Sequence, residues 1–416
     1  MKKHILKGIL ISFFCIFLLS GCSKEPHAVT QLADLEMLGK GYPVITNREP
    51  YFKWDRGALV ELSSDKLFDL KKVGWDLRSY DLSSFNLLNH PEELKYVTFD
   101  TDTIWPNDLP SDFNPSAIMD LGLNPGLNIK SLHNKSITGM GVNIAIIDQS
   151  LLLEHVEYKD NVMLYEKLNC FDNVASMHGP DVTSIAVGQK IGVAPDAKLY
   201  YIASTFGKYK KTDFEIDLTV MADGIKRVLE INKHLQDKDK IRVISISMGF
   251  QDNMKGYDEV YNAIEEAKKS NVFVVTTNTY NNYRFILMGL GRELTADPDD
   301  LNSYTPGIFW ADKYFEDDPL FNNDRILLVP MDSRTYASFS GEKDYSFSSV
   351  GGSSWACPWL AGMYALCLQV NPEITMDEFI HLAFETGDSI TIEHNSKKYT
   401  LKTIINPVKL VNAIEQ

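Results

Sequence analysis

The chain has 416 residues, a formal net charge of -15, 44% hydrophobic residues and 23% charged ones. That much apolar side chain builds a sizeable core, and so acidic a balance excludes the basic footprint of a nucleic-acid binder. Five cysteines do not make a disulfide scaffold, and no CxxC or His/Cys cluster marks a metal site.

The first 22 residues stand apart. Lys2, Lys3 and Lys7 form a basic n-region, and residues 9–19 are an apolar run too short to span a bilayer. The run ends in Leu19-Ser20-Gly21-Cys22, which resembles a bacterial lipobox. The expectation is a signal peptide over residues 1–22 and a lipid on Cys22, with the membrane as a partner. The body would then lie at the outer face of the cell membrane, lipid-anchored and extracytoplasmic. Each buried CH2 of an acyl chain contributes about 0.8 kcal/mol, and two chains suffice for a stable anchor. Beyond the signal, Cys170, Cys357 and Cys367 remain. Cys357 and Cys367 fall on one expected helix about 15 Å apart, so they cannot pair with each other.

Residues 23–120 form a tether and an N-terminal extension. The extension is aromatic-rich and irregular in period, with Trp54, Trp75 and Trp105, and Pro106, Pro110 and Pro115 break its last part. Its role is not legible. The expected main domain covers residues 121–416. Apolar runs without alternation at 142–147, 198–203, 243–248, 272–276 and 326–329 read as strands buried on both faces. Helical stretches follow at 178–187, 218–235, 257–270, 354–370 and 376–385. Alternation of this kind predicts a three-layer α/β sandwich with a mainly parallel sheet. Ligands of such sheets bind beyond the carboxyl ends of the strands.

Three segments there carry chemistry. Residues 139–148 place Asp148 at the end of a buried strand, where an acid is held rigidly and can orient a histidine. A dinucleotide-binding fold also pairs glycines with an apolar strand, but its glycines follow the strand, whereas these precede it. His178 opens a helix next to Gly179, and so reads as either a cleft histidine or a capping one. Ser354 follows Gly351-Gly352-Ser353 at a helix start, where its own N–H points outward. A serine there also serves as a helix cap.

In order, these segments resemble the three signature blocks of the subtilisin-like serine proteases, the subtilases. Residues 141–148 look like the Asp block, His178-Gly179 heads the His block, and residues 352–358 look like the Gly-Thr-Ser-Met-Ala-x-Pro nucleophile block. The chain order Asp, His, Ser is the subtilisin order. The resemblance implies a catalytic triad of Asp148, His178 and Ser354, and an oxyanion-hole Asn278. It also implies a substrate cleft lined by Ser247, Met248, Gly249, Thr276 and Thr277. The implied activity is a serine endopeptidase acting on peptide or protein substrates, with no cofactor. Structural calcium is common in the family, but no ligand cluster in the sequence identifies a site. Ser353 and Trp355 stand where the family has Thr and Met, Pro180-Asp181 where it has Thr-His, and Thr276-Thr277 where it has Ala-Gly. These departures indicate an altered cleft. Two other readings compete: a catalytically inactive subtilase-fold binding lipoprotein, and a solute-binding lipoprotein, which would need two similar lobes. Cleavage between the extension and the main domain would cut the enzyme from its anchor, so the mature protein is expected to keep the extension.

Overall fold

The computed structural model describes residues 45–60, 70, 74–210 and 213–415. The signal segment and Cys22 lie outside the described residues.

Sixteen strands occur among the described residues. They are β1 (Trp75–Asp76), β2 (Val97–Asp100), β3 (Asn143–Asp148), β4 (Val162–Lys167), β5 (Lys198–Ala203), β6 (Gly207–Lys210), β7 (Asp213–Ile216) and β8 (Ile241–Ile246). They continue with β9 (Phe273–Thr276), β10 (Ile286–Arg292), β11 (Tyr304–Pro306), β12 (Ile326–Pro330), β13 (Arg334–Ala337), β14 (Tyr345–Ser348), β15 (Asp388–His394) and β16 (Lys397–Ile404).

The central sheet has the order β4-β5-β3-β8-β9, and every pair in it is parallel. All six residues of β3 are buried, because helices cover both faces and no residue of the strand can be polar by solvation alone. The helix Thr219–His234 packs on one face, where Gly224 lets it approach the Ile147 side chain. The opposite face carries the helices His178–Val187 and Ser353–Val370. They touch closely at Gly362: a Cβ there would lie 2.7 Å from Val193 and 3.3 Å from the Ala186 carbonyl. This is the expected three-layer α/β sandwich. The chain leaves β3 toward β5 on one side and returns to β8 on the other, and ligands of such sheets bind outside the carboxyl ends of strands at a switch of this kind.

The run at 326–329 forms a strand, but in a different sheet from the other four. β12 lies in the order β11-β10-β12-β16-β15, whose β10, β12 and β16 are parallel and whose outer strands are antiparallel. The Ser353–Val370 helix packs across both sheets and joins them.

A third sheet, β1-β2-β14-β13, ties the N-terminal extension to the main body. β2 pairs antiparallel with β14, matching Phe99 to Phe347. Those two rings sit in a second hydrophobic cluster with Trp75, Leu77, Leu82 and Leu94. Upstream, Ile45 bridges Tyr165 at the open edge of β4, and Ala175 N–H donates to the Pro50 carbonyl at 2.9 Å.

Candidate active site

Asp148 ends β3 and is 1% exposed. Its Oδ1 accepts the Gln149 N–H at 2.8 Å and His178 Nδ1 at 2.6 Å. The His178 helix starts this close to the Asp148 loop because residue 179 is glycine. A Cβ at Gly179 would lie 2.6 Å from the Ser150 carbonyl and 2.9 Å from the Gln149 carbonyl, distances no side chain tolerates. Burial favours the neutral ring of His178. The charge and hydrogen bond of Asp148 outweigh it, with Asp181 adding, and hold the imidazole pKa above its usual value.

Ser354 is the second residue of its helix, and Gly352 takes the cap position with extended backbone. Neither serine caps the helix through its side chain. Pro358 lies four residues on and has no N–H, so the Ser354 carbonyl lacks the usual intrahelical donor. The Ser247 hydroxyl takes that place at 2.7 Å, and the Ser354 hydroxyl donates back to the Ser247 carbonyl at 3.2 Å. This pair of bonds latches the Ser354 turn to the end of β8. No hydrogen bond joins Ser354 to His178, which differs from the direct contact the triad expectation implies. The hydroxyl is bonded to the Ser247 carbonyl instead, and catalytic hydrogen bonds often tighten only with substrate. Trp355 stands edge-on to the His178 ring at 6.0 Å and to Tyr336 at 5.7 Å.

The cleft residues converge beside this latch. Thr277 N–H donates to the Met248 carbonyl at 3.3 Å, and Asn278 Nδ2 donates to the Phe250 carbonyl at 2.6 Å. The ends of β8 and β9 therefore run side by side, carrying Ser247, Met248 and Gly249 on one and Thr276, Thr277 and Asn278 on the other. The Asn278 amide keeps a second hydrogen, since each NH2 carries two.

Residues 139–302 match the model of the subtilase family. The matched span contains Asp148, His178 and Asn278, and Ser354 lies beyond it. Among solved structures, the chain is similar to the prenylagaramide maturation protease PagA: 14% identity, 69% of this chain, 98% of that one, TM-score 0.48. It is similar also to the PatG macrocyclase in complex with peptide, with 16% identity over 69% of this chain and 96% of that one, and a TM-score of 0.47. The self-cleaved protease domain of PatA matches with 17% identity over 67% of this chain and 98% of that one, at a TM-score of 0.45.

Two residues at the site were given no role by the sequence reading. Asp181 lies one turn beyond His178, fully buried, with neither carboxylate oxygen hydrogen-bonded. Burial pushes its carboxyl well above the usual range, although His178 and Arg78 pull it down. Only its departure from the family pattern drew notice to it. Arg78 reaches in from the N-terminal extension and donates to the Met177 sulfur at 2.6 Å, directly before His178. Nothing in its local sequence marks it. Among the described residues no group of three His, Cys, Asp or Glu side chains could hold a metal ion.

Proposed function

We propose that this protein is a subtilisin-type serine endopeptidase in which Ser354 is the nucleophile, His178 the general base and Asp148 its orienting acid. The observation that carries this is the 2.6 Å Asp148–His178 bond, at the carboxyl end of β3 and beside the Ser354 turn. On substrate binding the Ser354 hydroxyl leaves the Ser247 carbonyl and donates to His178 Nε2. Its oxygen attacks the scissile carbonyl while the ring takes the proton. Asp148 on Nδ1 keeps the correct tautomer and stabilises the imidazolium. The Ser354 N–H, at a helix N-terminus, and the free Asn278 amide hydrogen receive the developing oxyanion. His178 then returns the proton to the leaving amine, and water releases the acyl group by the same steps in reverse.

The substrate class is peptide or protein. The reading extends to a lipid anchor on Cys22 and a location outside the cytoplasm, supported by the Leu-Ser-Gly-Cys tetrapeptide after the apolar run. It also keeps the N-terminal extension in the mature protein, supported by the β2–β14 pairing.

A serine-directed fluorophosphonate tests the site. Wild type and Ser353→Ala should label and hydrolyse peptides, and Ser354→Ala should do neither. Adding His178→Ala to Ser354→Ala should cost little more, because residues that act as a unit are not additive. Labelling that survives Ser354→Ala rejects the assignment. Failure of all forms to label favours the inactive binding protein. Incorporation of labelled fatty acid into Cys22→Ser would reject the anchor.

A further inference from the structure

Asp332 lies in the turn after β12 and is 3% exposed. Its two oxygens serve two different parts of the chain. Oδ2 accepts the Ile308 N–H at 2.7 Å, and Oδ1 accepts the Gly351 N–H at 2.7 Å. Ile308 is the first residue of the helix Ile308–Phe315, so its N–H has no intrahelical partner. Gly351 stands three residues before Ser354. The turn beneath is itself fixed, because the Met331 and Asp332 N–H groups both donate to the Leu290 carbonyl at 3.1 and 3.0 Å. A Cβ at Gly351 would lie 2.7 Å from the Met331 carbonyl and 2.9 Å from Asp332 Oδ1. The glycine is required by the closeness of this carboxylate.

We propose that Asp332 is a positioning residue for the nucleophile, clamping the Gly351–Gly352 turn to the first turn of the Ile308–Phe315 helix. The inference rests on the reading of Ser354 as the nucleophile. The clamp holds the backbone N–H just ahead of the helix, and the Ser247 latch holds the Ser354 carbonyl. Between them Gly352 caps the helix without a side chain, its carbonyl accepting the Trp355 N–H at 2.9 Å. Without the carboxylate, the two N–H groups lose a shared acceptor and the glycine turn gains freedom. The Ser354 N–H then no longer points in one direction, and that direction matters only in the transition state.

Charged and titratable side chains surround the clamp. Arg292, at the end of β10, faces it but spends its own donors on the Glu293, Ala296 and Ser333 carbonyls. Arg334 of β13 and Tyr304 of β11 complete the buried group. Burial pushes the Asp332 carboxyl up to about 7, against the Ile308 and Gly351 N–H groups and Arg292, which lower it.

Two variants of the full chain test the clamp. Asp332→Asn keeps the shape but turns an NH2 toward one of the two N–H groups. Ile308→Pro removes the other anchor alone, at a helix position that accepts proline. Amide hydrogen exchange over residues 349–355 should quicken in both. The kcat should fall about tenfold or more in Asp332→Asn and a few-fold in Ile308→Pro, with KM within about twofold. The acid limb of the wild-type kcat profile should lose steepness in Asp332→Asn, a change that a merely structural role would not produce. If Asp332→Asn fails to fold, Ile308→Pro decides. Unchanged exchange, or faster exchange with unchanged kcat, overturns the proposal. Faster exchange in a protein whose wild type has no Ser354-dependent turnover leaves the clamp standing and rejects the peptidase reading instead.

Discussion

Replacing Arg78 by Met should destabilise the protein by about 2–3 kcal/mol, and the structure shows where the number comes from. The guanidinium is 7% exposed and donates to Asp76 at 2.9 and 3.0 Å. Burial lowers the guanidinium pKa, but Asp76 outweighs burial and holds it above the usual value. Breaking a sealed ion pair costs about 3–5 kcal/mol. The cost here is lower for two reasons. The Asp76 side chain is 27% exposed, and Arg56 stays beside it at 3.1 Å. Met occupies much of the same volume under the Trp54 ring, which lies 5.2 Å from the guanidinium carbon, so little of the loss is packing. Urea unfolding of wild type, Arg78→Met, Asp76→Asn and the double variant closes a cycle. The two single changes should overlap, with a coupling of about 2 kcal/mol. Additivity within about 0.5 kcal/mol would refute the idea that Asp76 and Arg78 act as one buried pair.

The pH dependence has a definite sign. Because the folded pKa of His178 lies above 6.5, its stabilising contribution is complete below the unfolded value and is lost as pH rises through the folded one. Turnover runs the other way, since the base must be neutral: the acid limb of kcat/KM should have its midpoint above 6.5, and a midpoint below 6 would contradict the Asp148 coupling. Asn278→Ala should leave a weaker enzyme, down about 10²–10³ in kcat, with labelling by fluorophosphonate retained but slowed; an unchanged kcat would remove Asn278 from the oxyanion site. Glu166→Ala should cost about 3–5 kcal/mol in denaturant unfolding, because it removes the carboxylate that the buried Arg227 guanidinium, 2% exposed, bonds twice at 2.8 Å.

Much of the central layer was legible in the sequence, and the reasons are local. A parallel strand buried on both faces must be apolar throughout, so residues 142–147 and 198–203 announced themselves. The helix His178–Val187 was read to the residue, since Gly188 ends it. Partner choice is not local. The apolarity of residues 326–329 marked a strand but carried no information about which sheet receives it. β10 was missed because Gly289 and Gly291 interrupt its run. Those glycines are there because the Met331 side chain and the Pro306 carbonyl crowd the positions where side chains would project. The β2–β14 pairing joins residues some 250 positions apart, such as Thr98 and Ser348, and no window along the sequence contains both. At the candidate site, the block pattern pointed to Ser354 and to Asp148 and His178, which bond to each other. It did not reveal that Ser354 faces Ser247 at rest, because a rotamer depends on the acceptors that the fold assembles around it.

The β2–β14 ladder gives the extension a second attachment besides the peptide bond. The Val97 carbonyl accepts both the N–H and the hydroxyl of Ser349 at 2.9 Å, five residues before Ser354. A nick in the exposed stretch between β2 and β3 would cut the chain but not the sheet, so the two fragments should migrate together until denatured. Trimming the extension away altogether has a different result. It bares the edge of β14, a row of unsatisfied N–H and carbonyl groups open to pairing with another chain. A shortened protein beginning near residue 139 should then aggregate through the strand that leads into the Ser354 turn.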